Sequence, residues 1–161
     1  MENLAFMYTL VNKLFLAISE VIAELPDGQQ WLERVIESLS RRVYYEFERD
    51  YYSRGNQATD YAQAWVRVLG KQGFLKESHY RFVQEDGVIN VYITNGTCAY
   101  REYCRQAKRE GTLFVCPRMT SIKWIIAVKT GQPYLMVTEE IDNEGVCRGR
   151  VYPEDSGNNC I

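Results

Sequence analysis

The chain of 161 residues is 46% hydrophobic and 25% charged, the balance of a single globular domain built on one sizeable core rather than two. Its 19 basic and 21 acidic side chains leave a formal net charge of -2 with no strong block of either sign, so nothing electrostatic recruits nucleic acid or an anionic membrane. Tyrosine outnumbers phenylalanine twelve to six, and a ring whose hydroxyl needs a partner suits half-dry, half-polar surfaces or cavities as well as ordinary packing.

From Leu4 to Leu25 the residues Leu4, Met7, Tyr8, Val11, Leu14, Phe15, Ile18, Val21, Ile22 and Leu25 recur at helical spacing, and Pro26-Asp27-Gly28 ends the run. Asn12, Lys13, Ser19 and Glu20 interrupt this stretch and no small-residue cleavage site follows it, so it reads as neither a membrane span nor a signal peptide. Phe6, Leu10 and Leu16 widen its apolar face beyond one core contact, which predicts a homodimer packed through this helix. A chain without an export signal is expected in the cytoplasm, where thiols serve as metal ligands, reactive groups or small hydrophobes more often than as disulfides.

A second helix is predicted from Gln29 to about Tyr52, with Trp31, Leu32, Val35, Ile36, Leu39, Val43 and Phe47 inward. At its end Tyr44, Tyr45, Tyr51 and Tyr52 are candidates to line a groove. A third, shorter helix starts at the capping pair Thr59-Asp60 and carries Tyr61, Ala64, Trp65, Val68 and Leu69. After Gly73 the period changes to two: His79, Tyr80, Arg81 and Phe82 alternate, Glu85-Asp86-Gly87 turns the chain, and Val88 to Thr94 alternates again as a hairpin. Ala99 to Glu110 returns to helix and Gly111 caps it; Pro117 opens another helix, with Ile122, Ile125 and Ile126 as its stripe, that ends at Gly131. Pro133 to Ile141 and Val146 to Tyr152 form a second hairpin around Asp142-Asn143-Glu144-Gly145, and the tail 153–161 is predicted to fray. The fold class is therefore α+β: N-terminal helices, then hairpin, helices, hairpin, with four antiparallel strands in one sheet covered by helices. Residues 1–152 form a single domain, with helices 4–52 as its dimerisation segment.

Four cysteines, Cys98, Cys104, Cys116 and Cys147, lie at C-x5-C-x11-C-x30-C spacing, and Cys160 falls in the tail. This matches neither paired zinc knuckles nor the usual ferredoxin pattern, but three of the thiols sit at element ends where separate segments converge. Alternation places Leu135, Val137, Glu139 and Ile141 on one face of their strand and Cys147, Gly149 and Val151 on one face of its partner, which puts Glu139 at an apolar position. A carboxylate there needs compensation. Two arrangements supply it: a zinc ion held by Cys116, Cys147, Glu139 and one of Cys98 or Cys104, or an ion pair from Glu139 to Arg148 or Arg150. His79, the only histidine, is read as exposed or structural. No Ser/His/Asp or Cys/His set is identifiable by spacing, and there is no phosphate-cradling glycine loop.

Three segments, "GFLKESHYRFVQEDGVINVYITN", "CAYREYCRQAKREGTLFVCPRM" and "IKWIIAVKTGQPYLMVTEEIDNEGVCRGRVYP", resemble the 4-vinyl reductase domain family. The likeness runs from about Tyr61 to Tyr152, and that family shares its fold with TRAPP vesicle-tethering subunits, nitric-oxide-signalling haem domains and the sensor domains of phenol-responsive regulators. The resemblance implies that Cys116, Glu139 and Cys147 correspond to metal ligands of zinc-bearing members; the family's further cysteine, three positions after the glutamate, is here Asp142. It also implies a tetrapyrrole or aromatic ligand. "TCAYREYC" resembles a related hydrolase family of the same fold that acts on an aminothiazoline carboxylate, without an intact nucleophile and base pair to carry over.

The expected function is that of a sensor, carrier or assembly factor. A pocket between the sheet and the Trp124 helix, lined by Trp65, Tyr80, Phe82, Tyr92 and Trp124, would take an apolar, planar molecule. The alternatives are an enzyme on such a ligand, either a vinyl-group reductase, which the missing dinucleotide fingerprint disfavours as an autonomous enzyme, or a small hydrolase using a metal-bound water near Glu139, and a protein-interaction module of the tethering type.

Overall fold

The computed structural model describes residues 2–94, 96, 98–143 and 145–154. The predicted fraying of the tail, with Cys160 in it, falls almost wholly outside these residues. The element order follows the sequence pattern: α1 (Glu2–Ala23), α2 (Gly28–Glu46), α3 (Ala58–Lys71), β1 (Tyr80–Glu85), β2 (Val88–Thr94), α4 (Arg101–Glu110), α5 (Pro117–Thr130), β3 (Tyr134–Asn143) and β4 (Val146–Pro153), with 3-10 turns at Glu48–Asp50 and Glu77–His79.

Local chemistry sets most boundaries. α4 and α5 end on Gly111 (φ 64) and Gly131 (φ 72), left-handed positions that glycine adopts without a Cβ penalty. Asp86 and Gly87, at φ 50 and 80, make the two-residue turn between β1 and β2. α3 opens on a capping box in which Gln57 N donates to Asp60 Oδ2 at 3.0 Å. Two expectations need correction. α2 stops at Glu46 rather than near Tyr52, because Tyr51 folds back so that its ring meets Tyr44 at 5.4 Å and its hydroxyl donates to the Tyr61 carbonyl at 3.2 Å. His79 closes a 3-10 turn instead of opening β1.

The sheet is antiparallel throughout, in the order β1-β2-β4-β3. Its inner face carries Ile89, Val91, Ile93 and Val151, all in the core beneath α5. The outer face carries Arg81, Tyr92, Arg148 and Glu140 in one cross-strand row. α5 approaches β4 so closely that a Cβ on Gly149 would lie 2.3 Å from Met119 Sδ and 2.8 Å from the Val137 carbonyl oxygen. Gly149→Ala is therefore expected to cost about 1–3 kcal/mol through overpacking, read as a fall in the urea midpoint with an unchanged m-value.

Two clusters of buried side chains form, where the composition predicted one core. The first joins α3, α5 and the sheet around Trp65, Met119, Ile122 and Ile126. The second joins α1, α2 and α4 around Phe15, Leu32, Ile36 and Tyr103. Phe74, Phe114 and Met136 pack against both. α1 follows its expected stripe only in part: Phe15 is buried and Val11, Ile18 and Ile22 pack on the second cluster, but Asn12, Leu16 and Ser19 are buried too, whereas Leu4, Met7, Leu14 and Val21 face outward beside Phe6 and Leu10. Leu4–Ala23 is also long and apolar enough to cross a membrane, a property the interruptions in the sequence had seemed to exclude. Two of those interruptions anchor it to the domain: Asn12 Nδ2 donates to the Ala99 carbonyl at 2.6 Å, and the Ser19 and Tyr103 hydroxyls are 3.0 Å apart.

Candidate functional site

The seam between the two clusters is not closed. A cavity of about 510 Å³ lies there, walled by Phe15 and Ile36 from the second cluster and by Trp65, Tyr80 and Ile122 from the first. Leu14 and Leu39, both exposed, stand where it meets solvent. The lining is mostly carbon, and several of its polar atoms are satisfied within the protein. Trp65 Nε1 donates to Ser121 Oγ at 2.7 Å, and Ser40 Oγ donates to the Ile36 carbonyl at 2.9 Å.

Arg118 is the charged residue of this wall. It is 7% exposed, its Nε donates to the Tyr80 hydroxyl, and its guanidinium lies 4.5 Å from the Tyr80 ring centroid. Nη1 and Nη2 are buried with no hydrogen-bond partner among the described residues. Burial alone would lower the Arg118 pKa, but Tyr80 and Cys98 beside it hold it above its ordinary value. Burial pushes the Tyr80 and Tyr100 hydroxyls up, although Arg118 opposes this in both. Around neutral pH the site thus holds a buried guanidinium among neutral phenols. Cys98 is a hydrogen-bonding neighbour of the guanidinium, and sulfur is a weak acceptor.

Of the five residues predicted to line a pocket, Trp65 and Tyr80 reach this cavity. Trp124 stands behind Trp65 at 6.3 Å and meets Tyr44 at 5.9 Å, and Phe82 packs beside Tyr80 at 6.2 Å. Tyr92 points from the outer face, with the Arg81 and Arg148 guanidiniums 4.0 and 5.9 Å from its ring centroid. The cavity lies mainly among the helices, with Tyr80 at the start of β1 as the sheet's contribution to its wall. Arg118 and Tyr100 are not singled out by the sequence, and Phe15 and Ile36 are marked there only as inward helix positions. One signal for Arg118 existed: a cation in the first turn of an apolar helix opposes the macrodipole, and such a placement asks for a reason. Of the groove tyrosines, Tyr44 is buried and Tyr51 half-buried, with Lys129 Nζ 4.7 and 4.6 Å from their rings, whereas Tyr45 and Tyr52 are exposed.

The cysteines do gather. Cys104 is buried on α4, Cys116 is buried at the start of α5, Cys98 precedes α4, and Cys147 lies on β4. Cys98, Cys104 and Cys147 all lie near enough to Cys116 for charge on one to be felt by another. Burial is the main cause that raises both Cys104 and Cys116, the latter to about 12. Glu139 is not part of this group. The register pairs Leu135 with Tyr152 and Val137 with Arg150, so Leu135, Val137 and Glu139 share the outer face and not that of Cys147, Gly149 and Val151. Glu139 pairs there with Arg150, and Glu140 with Arg148 at 3.2 Å. Irregularities after Thr138 and Glu140 break the alternation, and Ile141 returns to pack on the second cluster. Among the described residues no three or more His, Cys, Asp or Glu side chains are placed to hold a metal ion. The predicted set of Cys98, Cys104, Cys116, Glu139 and Cys147 therefore does not fit a four-coordinate zinc site in this arrangement, because its carboxylate is on the other face of the sheet, paired with Arg150.

Lys123, also buried on α5, ties α5 to α2 through Glu33 and Glu37, each 2.8 Å from its Nζ. No family model matches the chain, and no curated protein matches it either.

Proposed function

We propose that this chain is a small-molecule-binding domain, of the kind its resemblance to the 4-vinyl reductase family suggests, acting as a sensor, carrier or assembly factor. The observation that carries the reading is the cavity of about 510 Å³ between the two cores. Small-molecule sites commonly enclose roughly 300–1,000 Å³ with mostly apolar walls and a few oriented polar groups. Native packing leaves few voids larger than a water molecule, so a gap of this size in an otherwise close-packed domain favours an occupant. Trp65 in the wall supplies a reporter. 2-Naphthol should quench tryptophan fluorescence, and Trp124→Phe should leave that quenching in place because Trp124 is behind the wall. Ser40→Leu, which extends a buried wall residue into the space, should weaken binding at least about tenfold, the loss of roughly 1.4 kcal/mol. Its melting temperature should be unchanged or higher. Quenching that is indifferent to Ser40→Leu would sink the reading.

A homodimer is part of the same proposal. The outward faces of α1 and α2 together expose Phe6, Leu10, Val21, Trp31 and Val35, a broader apolar surface than isolated surface hydrophobes explain. An apolar face is self-complementary about a two-fold axis, which is the commonest way for two copies to close. Light scattering at low micromolar concentration should give a mass near twice the 18.8 kDa chain, reduced to the monomer by Leu10→Lys with Val21→Lys. A monomeric wild-type chain, or one that partitions onto neutral lipid vesicles instead, would overturn the dimer.

A further inference from the structure

We propose that the cavity takes an organic carboxylate with an apolar body, and that Arg118 is the residue that recognises the carboxylate. The inference rests on the cavity being a ligand site and names the chemical class of what enters it.

Four observations carry it. Arg118 lines the cavity, is 7% exposed, and leaves Nη1 and Nη2 without a partner among the described residues. A buried guanidinium is ordinarily paired, because removing the charge from water without a counter-charge is costly. The groups that act on it most strongly are the Tyr80 phenol and the Cys98 thiol, and no carboxylate stands among them. The Tyr80 hydroxyl occupies Nε and the Cys98 sulfur, a weak acceptor, is the guanidinium's other hydrogen-bonding neighbour, so the Nη1–Nη2 edge, the fork that matches the two oxygens of a carboxylate, has no strong acceptor.

The rest of the wall sets the body of the ligand. Val66, Leu69, Leu75 and Ile122 surround the space, so the portion beyond the carboxylate is hydrocarbon or aromatic. Exposed Leu14 and Leu39 mark the solvent side and buried Arg118 the inner side, which sends the carboxylate in first. A single cation is present in the lining, and a phosphate monoester would bring a second negative charge without a second partner. The monoanionic carboxylate is the class that fits.

Two probes of equal length separate the parts of the claim on the full wild-type chain: decanoate and 1-decanol, each titrated calorimetrically at pH 7.5. Decanoate should bind at least about tenfold more tightly, the low end of what a charge-assisted hydrogen bond contributes. Arg118→Met should abolish the difference between decanoate and decanol, and Arg118→Lys, which keeps the charge but loses the fork, should leave part of it. Equal affinities on the wild type would overturn the carboxylate inference while the cavity reading stands. Binding of neither probe would remove the cavity reading and this inference with it. A decanoate preference that survives Arg118→Met would take the role away from Arg118. The wild-type comparison needs no variant to fold.

Discussion

Replacing Asn12 with leucine is expected to destabilise the domain by about 3–4 kcal/mol, the combined cost of leaving two buried backbone groups unpaired. Asn12 is 4% exposed on α1, and its side chain does what no side chain of α4 does for itself. Tyr100, at the N-terminal boundary of α4, makes no side-chain capping bond. Asn12 Oδ1 instead accepts from Tyr103 N at 2.7 Å, one of the first-turn N–H groups that a helix cannot satisfy internally, and Nδ2 donates to the Ala99 carbonyl at 2.6 Å. The cap is supplied from 91 residues away in sequence. Leucine fills a similar volume but satisfies neither group, and Asn12→Asp, which keeps an acceptor for Tyr103 but sets a buried carboxylate against the Tyr8 and Ala99 carbonyl oxygens, should destabilise as well. Urea unfolding would measure both, and amide exchange at Tyr103 would show whether the end of α4 opens. A cost under about 1 kcal/mol for leucine would mean that α1 does not hold α4 through this residue.

Between pH 9 and 11 the domain should lose about 5 kcal/mol of stability, enough to unfold many single domains. Burial, then the neighbouring thiols, raises Cys104, and burial raises Cys116 to about 12 from an ordinary value of 9.0. A thiol whose folded pKa is above its unfolded one contributes fully below the unfolded value and loses that contribution as pH rises toward the folded value. Each contributes about 1.4 kcal/mol per pH unit in that window, and two thiols over two units give the figure above. Burial raises Tyr80, Tyr100 and Tyr103 as well, which adds to the loss above about pH 10. Lys123 works in the same direction: burial would lower it, but hydrogen bonds to Glu33 and Glu37 hold it high, so its contribution also fades as pH climbs. Urea midpoints at pH 7, 9, 10 and 11 would trace the fall, and Cys104→Ala with Cys116→Ala should flatten it by more than half between 9 and 10. Stability that is level to pH 11 would show that these thiols ionise as freely in the folded chain as in the unfolded one.

The sequence by itself determined the order of elements and most of the places where they stop, the end of α2 excepted. Helical spacing from Leu4, alternation from Tyr80, and the glycines at 111 and 131 act through a few neighbouring residues, and the structure follows them. It also brought out the cysteines as a group, because thiols at element ends converge when the elements pack. What a side chain faces across the fold was decided only by tertiary structure. Glu139 sits outside because pairing with β4 fixes the register and bulges change it, neither of which leaves a mark in simple alternation. Asn12 looked like a break in an apolar helix and is its anchor, since its partners lie on α4. The cavity was beyond reach for the same reason, and Arg118 showed only its odd place in the first turn of α5: a void is the failure of two packed clusters to meet, and it is defined by side chains from α1, α2, α3, β1 and α5 together. Local sequence codes the path of the chain, but burial, register and empty volume belong to contacts between segments that sequence separation conceals.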